Sequence, residues 1–186
     1  MEPPRGVADV PCAEKPSLRA PAALLTKFAS LLPRGGRALD LACGAGRHAL
    51  LLAGLGLRVV AVDRSATALE EGREQARLQG LRVDWVRSDL ENFPLPCGAF
   101  DVIVCFYYRD PGLYAPLHAA LRPGGLIVYE TYTCNQLRFG SGPRNPAHLL
   151  GPGELLEAFG DWGVIFYRET RLERGIASIV ARKPQP

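Results

Sequence analysis

Long apolar runs are missing from this chain. The longest, Ala49 to Leu57, reaches about half of the roughly 20 residues a helix needs to cross a bilayer. Acidic Glu2 and Glu14 stand where a secretory leader would carry an apolar core. A membrane-spanning or exported protein is therefore not expected, and the expected compartment is the cytoplasm. Paired cysteines are missing too. The five present, Cys12, Cys43, Cys97, Cys105 and Cys134, are scattered, odd in number and never spaced C-x-x-C, which argues against both a disulfide framework and a structural zinc site. No metal is expected. Charge of one sign does not dominate either: the net charge is +3, and the basic residues, overwhelmingly Arg, are spread along the chain instead of forming a stripe. A dedicated nucleic-acid-binding module is thereby disfavoured. No internal repeat and no low-complexity block occurs. What remains is material for one globular domain, 186 residues of which 47% are apolar, enough to bury a substantial core.

Prolines 3, 4, 11, 16 and 21, with few large apolar neighbours, make residues 1–20 read as a flexible arm and residues 21–186 as a single domain. Apolar residues at helical spacing from Ala22 to Leu32 predict a first helix, stopped by Pro33 and Gly35-Gly36. Strands and helices then alternate. Strands are expected at Arg37 to Leu41, Arg58 to Val62, Arg82 to Arg87, Phe100 to Phe106 and Gly125 to Thr131; helices fall at Arg47 to Gly54, Ser65 to Gln79 and Pro111 to Leu121. Thr67 and Glu70 offer a capping-box pair for the second of these helices. A helix from Pro152 to Phe159 and two closing strands, Val164 to Glu169 and Ile176 to Ala181, complete the chain. The expected fold is α/β: a doubly wound, mostly parallel, seven-stranded sheet ending in an antiparallel hairpin.

In such sheets ligands bind at the carboxyl ends of the strands, where the strand order reverses. Asp40-Leu41-Ala42-Cys43-Gly44-Ala45-Gly46-Arg47-His48-Ala49 follows the first strand. Gly44 and Gly46 let a backbone approach a ligand closely and turn into a helix, whose unpaired N–H groups suit an anion. The stretch from Gly44 to Ala49 also fits the G-x-G-x-x-A form of the dinucleotide fingerprint, so a nicotinamide-dependent reductase competes. Asp63, ending the second strand, suits either cofactor because a carboxylate there accepts both hydroxyls of an adenosine ribose. Asp40 before the loop, Asp89 after the third strand and the terminal hairpin favour the other reading.

Asp40 to Gly46, Ala61-Val62-Asp63, Ser88-Asp89-Leu90, Phe100 to Val104 and Leu121-Arg122-Pro123-Gly124-Gly125, in this order and spacing, resemble the motifs of the class I S-adenosylmethionine-dependent methyltransferases. The compact size and the Gly46-Arg47-His48 continuation look most like the small tellurite-resistance-type subgroup. The resemblance implies S-adenosylmethionine as cofactor, S-adenosylhomocysteine as product, and Asp40, Gly44, Gly46, Arg47, Asp63, Arg64, Asp89, Leu90 and Phe106 as cofactor-binding residues. Asp40 would organise the amino-acid end, Asp63 hold the ribose and Asp89 accept from the adenine amino group, while Phe106 would flank the sulfonium with its aromatic face.

A small-molecule acceptor is the expected partner. Tyr107, Tyr108 and Arg109 follow the fourth strand at the ligand edge, Glu130 and Tyr132 end the fifth, and Arg138 and Arg144 lie in the long segment from Tyr132 to Leu150, read as a lid over the acceptor. No convincing general base stands out; Glu130, Tyr132 and His148 are candidates by location. His48, His118 and Cys43 read as packed or loop residues. A protein that binds the cofactor without chemistry stays open as a third reading.

Overall fold

Runs of Val, Ile, Leu and Ala with no intervening charge form the middle of the sheet, because a central parallel strand is covered on both faces. The protein is described by a computed structural model that covers residues 20–185; the expected arm over residues 1–20 lies, except for Ala20, outside the described residues. Seven strands appear there, β1 (Arg37–Leu41), β2 (Arg58–Asp63), β3 (Val83–Arg87), β4 (Phe100–Phe106), β5 (Leu121–Tyr132), β6 (Gly163–Thr170) and β7 (Ile176–Arg182). Their spatial order is β3-β2-β1-β4-β5-β7-β6. Strands β1 to β5 pair in parallel, and β7 is antiparallel to both β5 and β6. The closing hairpin thus folds back so that its second strand, not its first, joins the parallel part.

Alternation sends successive side chains to opposite faces. Leu39, Leu41, Ile103, Cys105, Ile127 and Tyr129 enter one core with Leu117 of helix α4 (Tyr114–Ala120) and Phe159 of α5 (Glu154–Phe159). Ala38, Val102, Val104, Leu126 and Val128 enter the other with α1 (Ala23–Lys27), α2 (Arg47–Gly54) and α3 (Ala66–Leu78). Strand β6 is the sheet's edge, and its register against β7 shifts between Val164 and Phe166, leaving Ile165 as an extra residue.

Several expected boundaries move for local reasons. The first helix lasts only to Lys27 and continues as a 3₁₀ turn, Ala29–Leu31. The cap of α3 is Ser65, whose Oγ accepts the Ala68 N–H at 3.2 Å; Thr67 lies inside the helix, and Glu70 pairs with Arg73 instead. Strand β5 begins at Leu121, opposite Phe100; residues 122–125 then bulge out before Leu126 pairs with Val102. Strand order reverses between β1 and β4, which points the site to their carboxyl ends.

Candidate active site

Leaving β1, the chain takes left-handed conformations at Ala42 (φ 53°), Gly44 (φ 55°) and Gly46 (φ 76°) before α2 begins. The two glycines answer to different neighbours. A Cβ at Gly44 would meet nothing within 4 Å, so this part of the loop faces open space. A Cβ at Gly46 would run into the indole of Trp85, which fills the notch at Gly72 of α3 as well. Gly46, expected to make room for a ligand, instead makes room for Trp85.

Two acids hold this loop. Asp63 accepts the Gly44 N–H at Oδ2 and the Ser65 N–H at Oδ1, both at 2.8 Å, which ties the loop to the start of α3 and leaves acceptor capacity on each oxygen. Asp40 is fully buried. Its Oδ2 accepts the Ala49 N–H at 2.9 Å, serving one of the orphan donors of α2, and its Oδ1 has no partner. Burial pushes the Asp40 carboxyl up to about 8, against the pull of that N–H and of Arg47. Burial likewise raises the Cys43 thiol, the opposite of what a nucleophile requires. It lowers His48 to about 3, so this ring is neutral, stacked 4.0 Å from Phe106 and accepting the Ala22 N–H at Nε2.

A cavity of about 560 Å³ opens over the carboxyl ends of β2, β3 and β4, within the range of roughly 300–1,000 Å³ for small-molecule sites. Asp63, Arg64, Ser88, Asp89, Leu90 and Glu91 line one side; Tyr107, Tyr108, Arg109, Asp110 and His148 line the other. Asp89 is exposed there and leads a 3₁₀ turn, Leu90–Asn92. Tyr107, with φ 59°, also borders a second cavity, together with Glu130 and the β6–β7 hairpin.

The structure does not gather all the expected residues. Phe106 is 4% exposed and packed on His48; the tyrosines at the cavity are the next two residues, Tyr107, turned outward by its left-handed backbone, and Tyr108. Arg47 reaches away from the loop, donating to the Ala20 carbonyl at 3.2 Å and lying over the Tyr107 ring at 5.4 Å. Arg109 is no free cation for an acceptor: Nε and Nη2 donate to Glu154 at 2.8 and 2.9 Å, and Nη1 to the Ala147 carbonyl at 2.9 Å. Tyr132 packs on Tyr107 at 5.4 Å. Arg138 and Arg144 are exposed and line neither cavity.

The segment carrying them is built, not loose. Thr133 bridges Leu150, and buried Gln136 donates to the Ser141 carbonyl at 2.7 Å while accepting the Gly175 N–H at 3.0 Å. Arg144 is spent on the Phe139 carbonyl of the same segment, at 3.1 Å.

The family described as a methyltransferase domain matches residues 38–125, which span β1, the glycine loop, Asp63, Asp89 and β4. Residues 38–125 are thus similar to a methyltransferase domain, and the sheet around them has the fold of solved S-adenosylmethionine-dependent methyltransferases. Among curated relatives, the ubiquinone biosynthesis O-methyltransferase of Methylocella silvestris is 30% identical over 159 residues, covering 71% of this chain and 62% of that one. The chain therefore spans less than two thirds of that relative's length. TehB from Haemophilus influenzae superposes with a TM-score of 0.72 at 21% identity, over 86% of this chain and 61% of its own. An S-adenosylmethionine-dependent methyltransferase from Methanosarcina mazei gives 0.70 at 18% identity, over 90% of this chain and 100% of its own. At these identities the two structures share the fold.

Two features of the site escaped the sequence. The indole of Trp85 behind the glycine loop was signalled only by Gly72 inside an otherwise helical pattern. Glu154, partner of Arg109, lies 45 residues away in a helix with no motif around it.

Proposed function

We propose that the first cavity holds S-adenosylmethionine and that the protein transfers its methyl group to a small acceptor carrying an oxygen nucleophile. The observation that carries this reading is one cavity in which Asp63, with acceptor capacity left on both oxygens, faces Asp89 beside the open side of Gly44. In this reading Asp63 takes the ribose hydroxyls and Asp89 the adenine amino group. The amino-acid carboxylate meets the start of α2, and the unpartnered Oδ1 of Asp40 balances the ammonium. When bound, S-adenosylmethionine supplies an electrophilic methyl group on a sulfonium that is already a good leaving group. The protein's own residues bind and align the reactants and keep water out.

The oxygen acceptor is supported by the O-methyltransferase name of the Methylocella silvestris relative. The TehB likeness supports no acceptor. The reductase alternative loses its ground because β7 runs antiparallel where a second dinucleotide-binding half would continue the parallel sheet. Among the described residues no helix is long and apolar enough to cross a membrane. A cytoplasmic setting is supported by the free state of Cys43, Cys97, Cys105 and Cys134.

Calorimetry tests the reading. S-adenosylhomocysteine should bind with micromolar-class affinity and without metal, whereas NADH should not bind at millimolar concentration. Asp63→Ala should weaken the binding at least tenfold, a loss of about 1.4 kcal/mol or more, and should also lower stability by freeing the Gly44 and Ser65 N–H groups. Folded wild-type protein that fails to bind S-adenosylhomocysteine would sink the proposal, and absence of methyl transfer to any small acceptor would leave a binding protein.

A further inference from the structure

Tyr107 is a wall with a cavity on each side. The second cavity, of about 570 Å³, faces α1 and the β6–β7 hairpin; Leu24, Leu172 and Ile176 give it apolar sides, and Glu130, Arg168 and Arg174 bring charge to it. We propose that this cavity is the acceptor site, and that it takes an apolar-bodied carboxylate whose hydroxyl lies against Glu130 and whose carboxylate group lies between Arg168 and Arg174. The proposal rests on the methyl-donor reading of the first cavity.

Glu130 is the floor. It is 7% exposed at the end of β5; its Oε2 accepts the hydroxyl of fully buried Ser178 at 2.7 Å, and its Oε1 accepts the Tyr107 hydroxyl at 3.4 Å. A carboxylate in such a place is costly unless its lone pairs are used. Ser178 fixes one oxygen firmly. The other, held only by a long hydrogen bond, is free to exchange Tyr107 for an acceptor hydroxyl.

Tyr107 lines both cavities, so an acceptor hydroxyl that replaces its own at Glu130 lies where the two cavities meet, next to the donor. A non-glycine residue at φ 59° is strained, and strain of this kind persists where surrounding contacts impose it. Here the Tyr107 N–H donates to the Glu130 carbonyl at 2.8 Å, and the ring packs against Arg47 and Tyr132.

The rim supplies the charge. Arg168 and Arg174 are exposed and, among the described residues, take part in no ion pair, whereas Arg73 and Arg77 elsewhere on the surface are paired with Glu70 and Glu74. Glu173 is the acid beside them, so two guanidiniums outweigh one carboxylate. With Glu130 buried and both arginines exposed, nucleophile and anion must sit at opposite ends of the acceptor. In the transfer the acceptor hydroxyl gives its proton to Glu130 while its oxygen forms the new bond to the methyl carbon. The electron pair of the breaking carbon–sulfur bond stays on sulfur, and the proton passes on to water.

The probe is 4-hydroxyphenylacetate, titrated by calorimetry into protein saturated with S-adenosylhomocysteine, with 4-hydroxyphenylacetamide as its neutral counterpart. The carboxylate should bind saturably and the amide at least tenfold more weakly. Arg168→Gln and Arg174→Gln should each weaken the carboxylate about fivefold or more and leave S-adenosylhomocysteine affinity unchanged; Arg138→Gln and Arg144→Gln should change neither. Glu130→Gln, whose amide oxygen accepts one hydroxyl while its NH2 donates to the oxygen of the other, should still bind the probe but transfer methyl to it at least tenfold more slowly. Protein that binds S-adenosylhomocysteine but not the carboxylate, or binds acid and amide alike, overturns the acceptor site; an unchanged rate in Glu130→Gln overturns the proton acceptor. Failure to bind S-adenosylhomocysteine at all overturns the donor reading beneath both.

Discussion

Asp40 shows how much one residue's surroundings decide. An ordinary aspartate titrates near about 3.9, but in β1, flanked by Ala61 of β2 and Val104 of β4, burial pushes its carboxyl up to about 8. At pH 7 it is mostly protonated. An ammonium brought close favours the ionised form, so binding of S-adenosylhomocysteine at pH 7 should release close to one proton, and affinity should rise with pH until about 8 and then level. Calorimetry in buffers of different ionisation enthalpy reads this directly, and Asp40→Asn should abolish it; a buffer-independent heat in the wild type would show the carboxyl already ionised. The stability linkage has a definite sign. With its folded-state value raised, the stabilisation Asp40 contributes is full below about pH 4 and lost as pH rises through about 8. Asp40→Asn should therefore gain on the wild type across that window. The acid itself is legible before the glycine loop; its burial follows from two strands that lie far from it in the chain.

Elements were legible where one local signal fixes them. The strands β1, β2 and β4 announce themselves as apolar runs between glycine and acid, and α3 as a helical stripe of Leu69, Gly72 and Ala76. The glycine loop, Asp63 and Asp89 come from motif and spacing. What escaped depends on partners remote in sequence. The segment after β5 reads as a lid by length and composition, yet Gln136 stitches it to Gly175. Arg109 reads as a ligand-facing cation, yet it braces α5 through a half-buried pair with Glu154, which also accepts from the Tyr114 hydroxyl at 2.6 Å and the Gly151 N–H at 2.8 Å. Burial opposes the Glu154 anion, but these donors outweigh it and hold its carboxyl below the usual range. A double-mutant cycle on Arg109→Ala and Glu154→Ala, followed by urea unfolding, should give a coupling of about 1–2 kcal/mol, less than a fully buried pair because water reaches both groups. That stabilisation should be present above about pH 4.5 and fade as pH falls through the lower folded-state value of Glu154. Additive losses would mean that the pair braces nothing.

At the scale of the whole molecule, a sheet covered on both faces leaves its exposed hydrogen-bonding capacity at its edges. On one side that edge is β6, where Val164 and Ile165 are 37% and 42% exposed. An unbroken apolar edge is a template on which another copy can add a strand. The extra residue Ile165 interrupts the ladder at this exposed stretch and twists the strand locally. Deleting Ile165 should restore an even edge and produce light scattering that grows with time and protein concentration, while freshly prepared monomer binds S-adenosylhomocysteine as before; Ile165→Lys should stay clear. Equal scattering in all three proteins would deny the bulge this part. One displaced residue at the rim of the sheet thus bears on colloidal behaviour: it lets an apolar border strand stay in water without recruiting its neighbours into fibres.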